Sequence, residues 1–300
     1  MNLHYYPEPT THMILIADSG STKCDWALLD ESGNKRAEFE TMGLNPYFHS
    51  EEQIENSLRV HPALMECASS VTHVFFYGAG SSTEQMCNIM RHGLSKVFTH
   101  AEIAVEHDLL GSAMATYDGE PCISCILGTG SNSCYFDGRE VFEEVPSLAY
   151  ILGDEASGSY FGKKLLQAYF YKQLPDDLRN DFEKAYAPTK EDIIYRIYRQ
   201  PNANTYLASF MKFIGEHRDH PLIVQWITDG MRHFIGIHVK CFANWREVPV
   251  HFVGSIGHYF EHCLRKAAEA EGIRLGRIVQ KPIDGLVEYH VRYKIPQLAN

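Results

Sequence analysis

Residues 13–17 form an unbroken apolar run that stops at Asp18, gives way to Ser19, Gly20, Ser21, Thr22 and Lys23, and resumes over 24–29. A third run over 37–42 follows the turn residues 31–35. Short apolar runs bounded by turn residues are the pattern of buried strands, so the three predict a meander. Helical periodicity over 51–67 and 82–97 flanks a strand at 71–80 that ends in glycine. A short strand near Ile103 runs into Asp108, which the pattern places where a strand passes into a helix that closes before Asp118 and Gly119. Strands alternating with helices predict a layered α/β domain over 13–119.

The opening pattern then recurs. An apolar run from Cys122 meets Gly128, Thr129, Gly130, Ser131 and Asn132, a second strand follows, and a glycine turn at Asp137 and Gly138 leads to a third. Identity between the halves is low, so the likeness is one of architecture. Helical patterns over 155–171, 176–186, 190–198 and 221–242 give the second domain, 120–300, a helical insertion at about 165–220. A last strand through "VPVHFVGS" turns at glycine into a helix over 257–271.

Composition narrows the partners. The 300 residues are 45% hydrophobic and 22% charged, as in ordinary globular proteins, and two domains suit the length. A formal charge of −11 works against nucleic-acid or anionic-membrane binding and favours small ligands. No run approaches the roughly 18 to 20 apolar residues that span a bilayer, and a cytoplasmic location is expected. The eight cysteines are scattered, several in apolar runs, as buried thiols would be. Residues 1–12 read as a disordered extension.

A loop of Gly, Ser and Thr between two strands can turn successive backbone N–H groups toward one anionic oxygen, with Gly20 letting a ligand approach and Lys23 adding charge. One such loop alone also reads as a hairpin turn. Two of them, facing each other across a cleft, could hold successive phosphates of one nucleotide. The third glycine turn, Gly254, Ser255 and Gly257, suits an adenosine or α-phosphate, with an ordinary strand-to-helix connection as the alternative. Phosphoryl transfer needs a base and a metal ligand, and Asp18, Asp108 and Asp154 are the candidate carboxylates. Asp108 and the turn Asp154–Glu155 also read as helix caps or first-turn acids. Other matches fail. "GSYFGKK" lacks the spacing of a P-loop, Cys122 and Cys125 point to opposite faces of a predicted strand, and His258 and His262 lack a third ligand.

The order "DSGSTK", "HDLLGS", "LGTGSN", "LGDEASG", "VGSIG" resembles that of the acetate and sugar kinase, Hsp70 and actin superfamily. It is most similar to the N-acetylglucosamine kinase and BadF-type ATPase family, over nearly the whole chain from Met13. The resemblance implies two ribonuclease H-like domains, the actin-like ATPase fold, around an interdomain cleft. It implies ATP and Mg²⁺ as ligands and transfer of the γ-phosphoryl group to a hydroxyl of an amino sugar, with N-acetylglucosamine 6-phosphate the leading product. By carry-over, Asp18, Gly20, Ser21, Thr22 and Lys23 handle phosphate and metal, Asp18 meeting Mg²⁺ directly or through water. Gly128, Thr129, Gly130, Ser131 and Asn132 bind the β- and γ-phosphates, and Gly254, Ser255 and Gly257 the adenosine. Asp108 is the base, and Asn45, Gly153, Asp154 and Glu155 bind sugar with it. A homodimer is expected by the same analogy.

Two departures stand out. Residues 147–150, Ser-Leu-Ala-Tyr, replace a glycine-tryptophan-glycine stretch that the family often carries, and Ser19 replaces a commoner glycine. The competing expectations are a BadF-type ATPase coupled to a partner protein, which would need cysteine ligands for a shared iron–sulfur cluster, and a sugar-responsive binder without catalysis.

Overall fold

The computed structural model describes residues 12–298, so all but His12 of the expected extension lies outside the described residues. The chain divides into two compact units, one running to Ala115 and resuming at Pro282, the other Thr116–Lys281. Sequence reasoning kept 120–300 together; in the structure helix Pro282–Tyr289 packs on the sheet of the first unit, with Gly285 against the Ala115 carbonyl. A short apolar helix advertises that it must be buried, not against what.

In the first unit β1 (Met13–Ser19), β2 (Lys23–Asp30), β3 (Lys35–Met42), β4 (Val71–Gly78) and β5 (Glu102–His107) lie in the order β3-β2-β1-β4-β5. The first three form the expected antiparallel meander, while β4 and β5 run parallel to β1. Leu15, Ala17, Trp26, Leu28, Val74 and Phe76 pack on one face with Ile54, Leu58, Met90 and Leu94 from the helices Glu51–Arg59 and Glu84–Ser95. Strand alternation puts Ile14, Ile16 and Asp18 on the opposite face. There Gly111 of helix Asp108–Thr116 closes on Tyr77, and Tyr77 Oη bonds His290 Nε2 at 2.9 Å. The expected helix 51–67 is two helices, because Pro62 lacks an N–H and starts the second, Pro62–Cys67.

The second unit repeats the plan: β6 (Cys122–Leu127), β7 (Ser131–Phe136), β8 (Val141–Phe142), β9 (Val250–Val253) and β10 (Leu275–Val279) in the order β10-β9-β6-β7-β8. Read from β8, this is the order of the first sheet, with the same antiparallel and parallel pairs. Seven helices from Ala149–Leu152 to Pro221–Phe234 lie between β8 and β9 and share a core of Phe161, Phe182, Phe210, Phe213 and Phe234. The expected helix 155–171 begins only at Gly158, because Asp154 and Ala156 take left-handed backbone at φ 57° and 58°. The eight cysteines form no disulfide, and among the described residues no helix is long and apolar enough to cross a membrane.

Helix Gly158–Phe170 meets helix Ala203–Ser209 at Gly162, where a Cβ would run into the Leu207 carbonyl oxygen. Gly162→Ala is expected to destabilise the protein by about 1–3 kcal/mol, the usual cost of overpacking. Denaturant unfolding followed by circular dichroism measures it, and an unchanged midpoint would contradict this packing.

Candidate active site

The first group of site residues sits at one end of the first sheet. The β1–β2 register pairs Asp18 with Asp25 and Ser19 with Cys24, and the Gly20 N–H donates to the Lys23 carbonyl at 3.0 Å to close the turn. Gly20 and Thr22 are exposed and Ser21 half-buried, so the loop is open to a ligand. Lys23 is engaged with carboxylates, its Nζ 2.8 Å from Asp25 and 3.5 Å from Glu40.

Asp18 and Ser19 point to opposite faces. The buried Ser19 hydroxyl donates to the Leu44 carbonyl at 3.1 Å and accepts from the Leu44 N–H at 2.9 Å. Gly43 N donates to the Thr22 carbonyl at 3.1 Å, and Gly43 lies so close beneath the loop that a Cβ would strike the Gly20 carbonyl. These contacts fix Asn45. It is buried, its Oδ1 accepts from the Tyr47 N–H at 2.9 Å, and Gly80, at φ 84°, leaves just enough room for that side chain. The serine that departs from the resembling pattern thus ties the end of β1 to the Asn45 segment.

Asp108 is the first residue of its helix, directly after β5, with His107 Nε2 3.2 Å from its Oδ1 and its side chain 24% exposed. Asp18 senses it: burial first, then the charges of Asp108 and Asp25, push the Asp18 carboxyl up to about 7, against a smaller opposing pull from Lys23. Two acids close enough to oppose each other's charge, beside an open Gly-Ser-Thr loop, suit a ligand that brings a cation and a hydroxyl.

The second group lies in the second unit. Gly128 N donates to the Gly130 carbonyl at 2.9 Å, closing the β6–β7 turn, and helix Gly158–Phe170 holds the loop from behind: Gly158 N to Gly128 O at 2.8 Å, Ser159 N to Thr129 O at 3.1 Å. The buried Asp154 accepts the Ser131 N–H at 3.2 Å; burial raises its carboxyl, partly offset by that bond. Ser131 Oγ donates to the Glu155 carbonyl at 2.7 Å. Asn132 turns to its own strand, accepting from the Ser133 N–H, and reaches Glu143 at 3.4 Å. Gly153 precedes Asp154 at the end of helix Ala149–Leu152. Gly254, at φ 117°, lies against the Leu127 carbonyl, which brings the third turn beside the second. Its helix, Ser255–Tyr259, is only five residues, breaks before Glu261–Glu271, and turns Gly257 into the core.

The decoys resolve as structure. "GSYFGKK" is the start of helix Gly158–Phe170, with Lys163 Nζ on the Tyr150 carbonyl at 3.1 Å. Among the described residues no group of three or more His, Cys, Asp or Glu could hold a metal ion. One residue of interest was missed. His238 is buried with Nε2 3.0 Å from Glu155 Oε2. The signal was present, since Met231 and Phe234 at i−7 and i−4 put His238 on a core-facing stripe, where an imidazole needs a partner.

No family model and no curated protein matches the chain. Solved structures do. The chain is similar to a proposed N-acetylglucosamine kinase of Porphyromonas gingivalis at 38% identity and TM-score 0.87, covering 93% of this chain and 99% of that one. A proposed N-acetylglucosamine kinase of Chromobacterium violaceum shares the fold at 16% identity and TM-score 0.69, over 94% and 99% of the two chains. So does a ROK-family glucokinase of Streptomyces griseus, solved with glucose and AMPPNP, at 16% identity and TM-score 0.57 over 92% and 97%.

The Asp18 carboxyl titrates near 7 in the folded protein against an ordinary 3.8, so between those values the native state holds a proton that the unfolded chain releases. Stability contributed through this group therefore falls as pH rises across that window and stays low above it. Asp18→Asn is expected to raise the Tm at about pH 8 and to change it little at about pH 2.5, where the Asp18 carboxyl is neutral in the folded and the unfolded chain alike. Calorimetry at the two pH values checks this; equal shifts would mean that Asp18 titrates as an ordinary carboxylate.

Proposed function

The chain belongs to the sugar-kinase family that includes the proposed N-acetylglucosamine kinase of Porphyromonas gingivalis, and from that premise we propose that it transfers the γ-phosphoryl group of ATP to a hydroxyl of an amino sugar, N-acetylglucosamine first. The observation that carries the reading is the acidic pair, Asp18 and Asp108, within electrostatic reach of each other beside the open loop 20–22. Asp108 follows β5 directly and is partly exposed, a position from which a carboxylate can orient a hydroxyl and take its proton. Asp18, whose charge burial and two neighbouring acids oppose, is suited to a cation carried by the nucleotide phosphates. Mg²⁺ on the triphosphate would neutralise phosphate charge during transfer.

In this reading the loops at 20–23 and 128–132 serve one nucleotide, and Gly254 and Ser255 its adenosine end. Asn45, Gly153, Asp154 and Glu155 hold the acceptor. Asn45 has committed its Oδ1 to its own turn, so its Nδ2 is the group to donate to a sugar oxygen. Closing such a site excludes water, which competes with the sugar hydroxyl for the γ-phosphate. The partner-coupled ATPase draws no support from the thiols: Cys122 and Cys125 are buried in β6, with burial pushing Cys122 up to about 12. A cytoplasmic homodimer remains part of the proposal.

Coupled ADP release with Mg-ATP and a panel of N-acetylglucosamine, N-acetylmannosamine, glucosamine, glucose and N-acetylmuramic acid tests the reading. Turnover that depends on one sugar is expected, and acceptor-free turnover would count for the ATPase. Asp108→Asn should lower kcat about 10²- to 10⁴-fold while ATP still binds, the range of a general-base contribution. Undiminished kcat would remove Asp108 from that role.

A further inference from the structure

Helix Pro221–Phe234 does not simply end; it widens into one π-helical turn, Ile235–Val239, and that turn carries His238. Such turns are rare and are frequent at functional sites. The His238 ring stacks on Phe234, 4.8 Å between centroids and 24° from parallel. Its carbonyl accepts the Ser133 hydroxyl of β7 at 2.6 Å, so the turn is bound to the sheet whose loop carries Ser131. Nε2 faces Glu155 Oε2 at 3.0 Å, while the buried Nδ1 has no hydrogen-bond partner among the described residues.

What Nε2 does is hold Glu155. That residue stands between two left-handed non-glycine residues, Asp154 and Ala156, on a backbone that persists only if its surroundings hold it. Ser131 grips the same turn twice, through the Asp154 carboxylate and the Glu155 carbonyl. The Glu155 side chain is anchored at Oε2 by His238, with 15% of its surface still exposed. Burial is the largest single influence and would raise the Glu155 carboxyl, but the His238 hydrogen bond, a backbone hydrogen bond and the pull of His238 and His233 together hold the group below the usual carboxylate range.

We propose that His238 is a positioning residue for the acceptor: by engaging Oε2 it fixes the Glu155 side chain so that Oε1 can accept from a sugar hydroxyl. The inference rests on the sugar-kinase reading and adds to it a residue that touches neither sugar nor nucleotide. Affinity for the acceptor then depends on a buried imidazole, while nucleotide binding, served by backbone N–H groups of the loops, does not.

The test is steady-state kinetics of wild type, His238→Phe, His238→Asn and His238→Gln with the sugar that the wild type phosphorylates. Phe keeps the stack on Phe234 without a donor, Asn is too short to reach Glu155, and Gln restores a donor at nearly the reach of Nε2. KM for the sugar should rise about tenfold to a hundredfold in the Phe and Asn variants, as expected for losing a hydrogen bond to a charged group, with KM for ATP nearly unchanged. The Gln variant should recover most of that loss. An unchanged sugar KM in a folded Phe or Asn variant overturns the positioning role, as does a parallel loss of sugar and ATP affinity that follows Tm. Wild type that phosphorylates no sugar overturns the kinase reading and this inference together, so the two failures are told apart by which protein shows them.

Discussion

Asp18 is a carboxylate whose charge is opposed by burial and by two further acids, Asp108 and Asp25, and favoured by the weaker pull of Lys23. Much of the first unit's site follows from how β1 presents it. Successive strand residues face opposite ways, so Asp18 looks toward the helix that begins with Asp108 while Ser19 looks into the core, where it ties down Leu44. A single strand end thereby sets the acid on one face and the Asn45 segment on the other. Gly43 and Gly80 are what this closeness demands: at either position a Cβ would strike the loop carbonyl or the Asn45 side chain.

The second unit uses the same strand-loop-strand differently. Its loop closes on itself as the first does, but helix Gly158–Phe170 takes its carbonyls and Asp154 takes a loop N–H. Here the acid holds the loop. In the first unit the acid is left uncompensated. The same sheet order therefore carries two kinds of strand-loop-strand, one beside an acid whose charge is opposed and one whose acid is spent on its own backbone.

Much of this was legible in the sequence because it depends on local pattern. The meander, the alternation of strand and helix, the repeated loop and the place of Asp108 at a strand end all come from apolar runs and the residues that interrupt them. The family followed from motif order. What could not be read depends on partners distant in sequence. Helix Pro282–Tyr289 returns to the first unit because of what it packs on, β10 carries a glycine and an arginine among five residues, and Glu155 meets a histidine far along the chain. The helix expected from residue 155 starts later because Asp154 and Ala156 adopt left-handed backbone, which alanine in particular does not advertise. Ser19 read as a small substitution in a loop and proved to be a buried two-way hydrogen-bonding group.

The two parts of the proposed site differ in what sequence change they can absorb. Loops that present backbone N–H groups keep their chemistry as long as the chain keeps its course, so in the proposed reading 20–23 and 128–132 can vary in side chain and still serve a phosphate. An acceptor is distinguished by side chains, and those that stand for it here are each held by one or two specific contacts: Asn45 by its own turn, Asp154 by Ser131, Glu155 by His238. The segment that departs from the family leads into that group. Leu148, Ile151 and Leu152 are exposed, Ala149 is left-handed at φ 55°, and Gly153 passes directly to Asp154. A change there alters the wall next to the acceptor residues without disturbing the backbone loops. In the proposed reading, relatives with the same loops can therefore differ in acceptor, and the specificity of this chain lies between residues 147 and 155 and behind them, at His238.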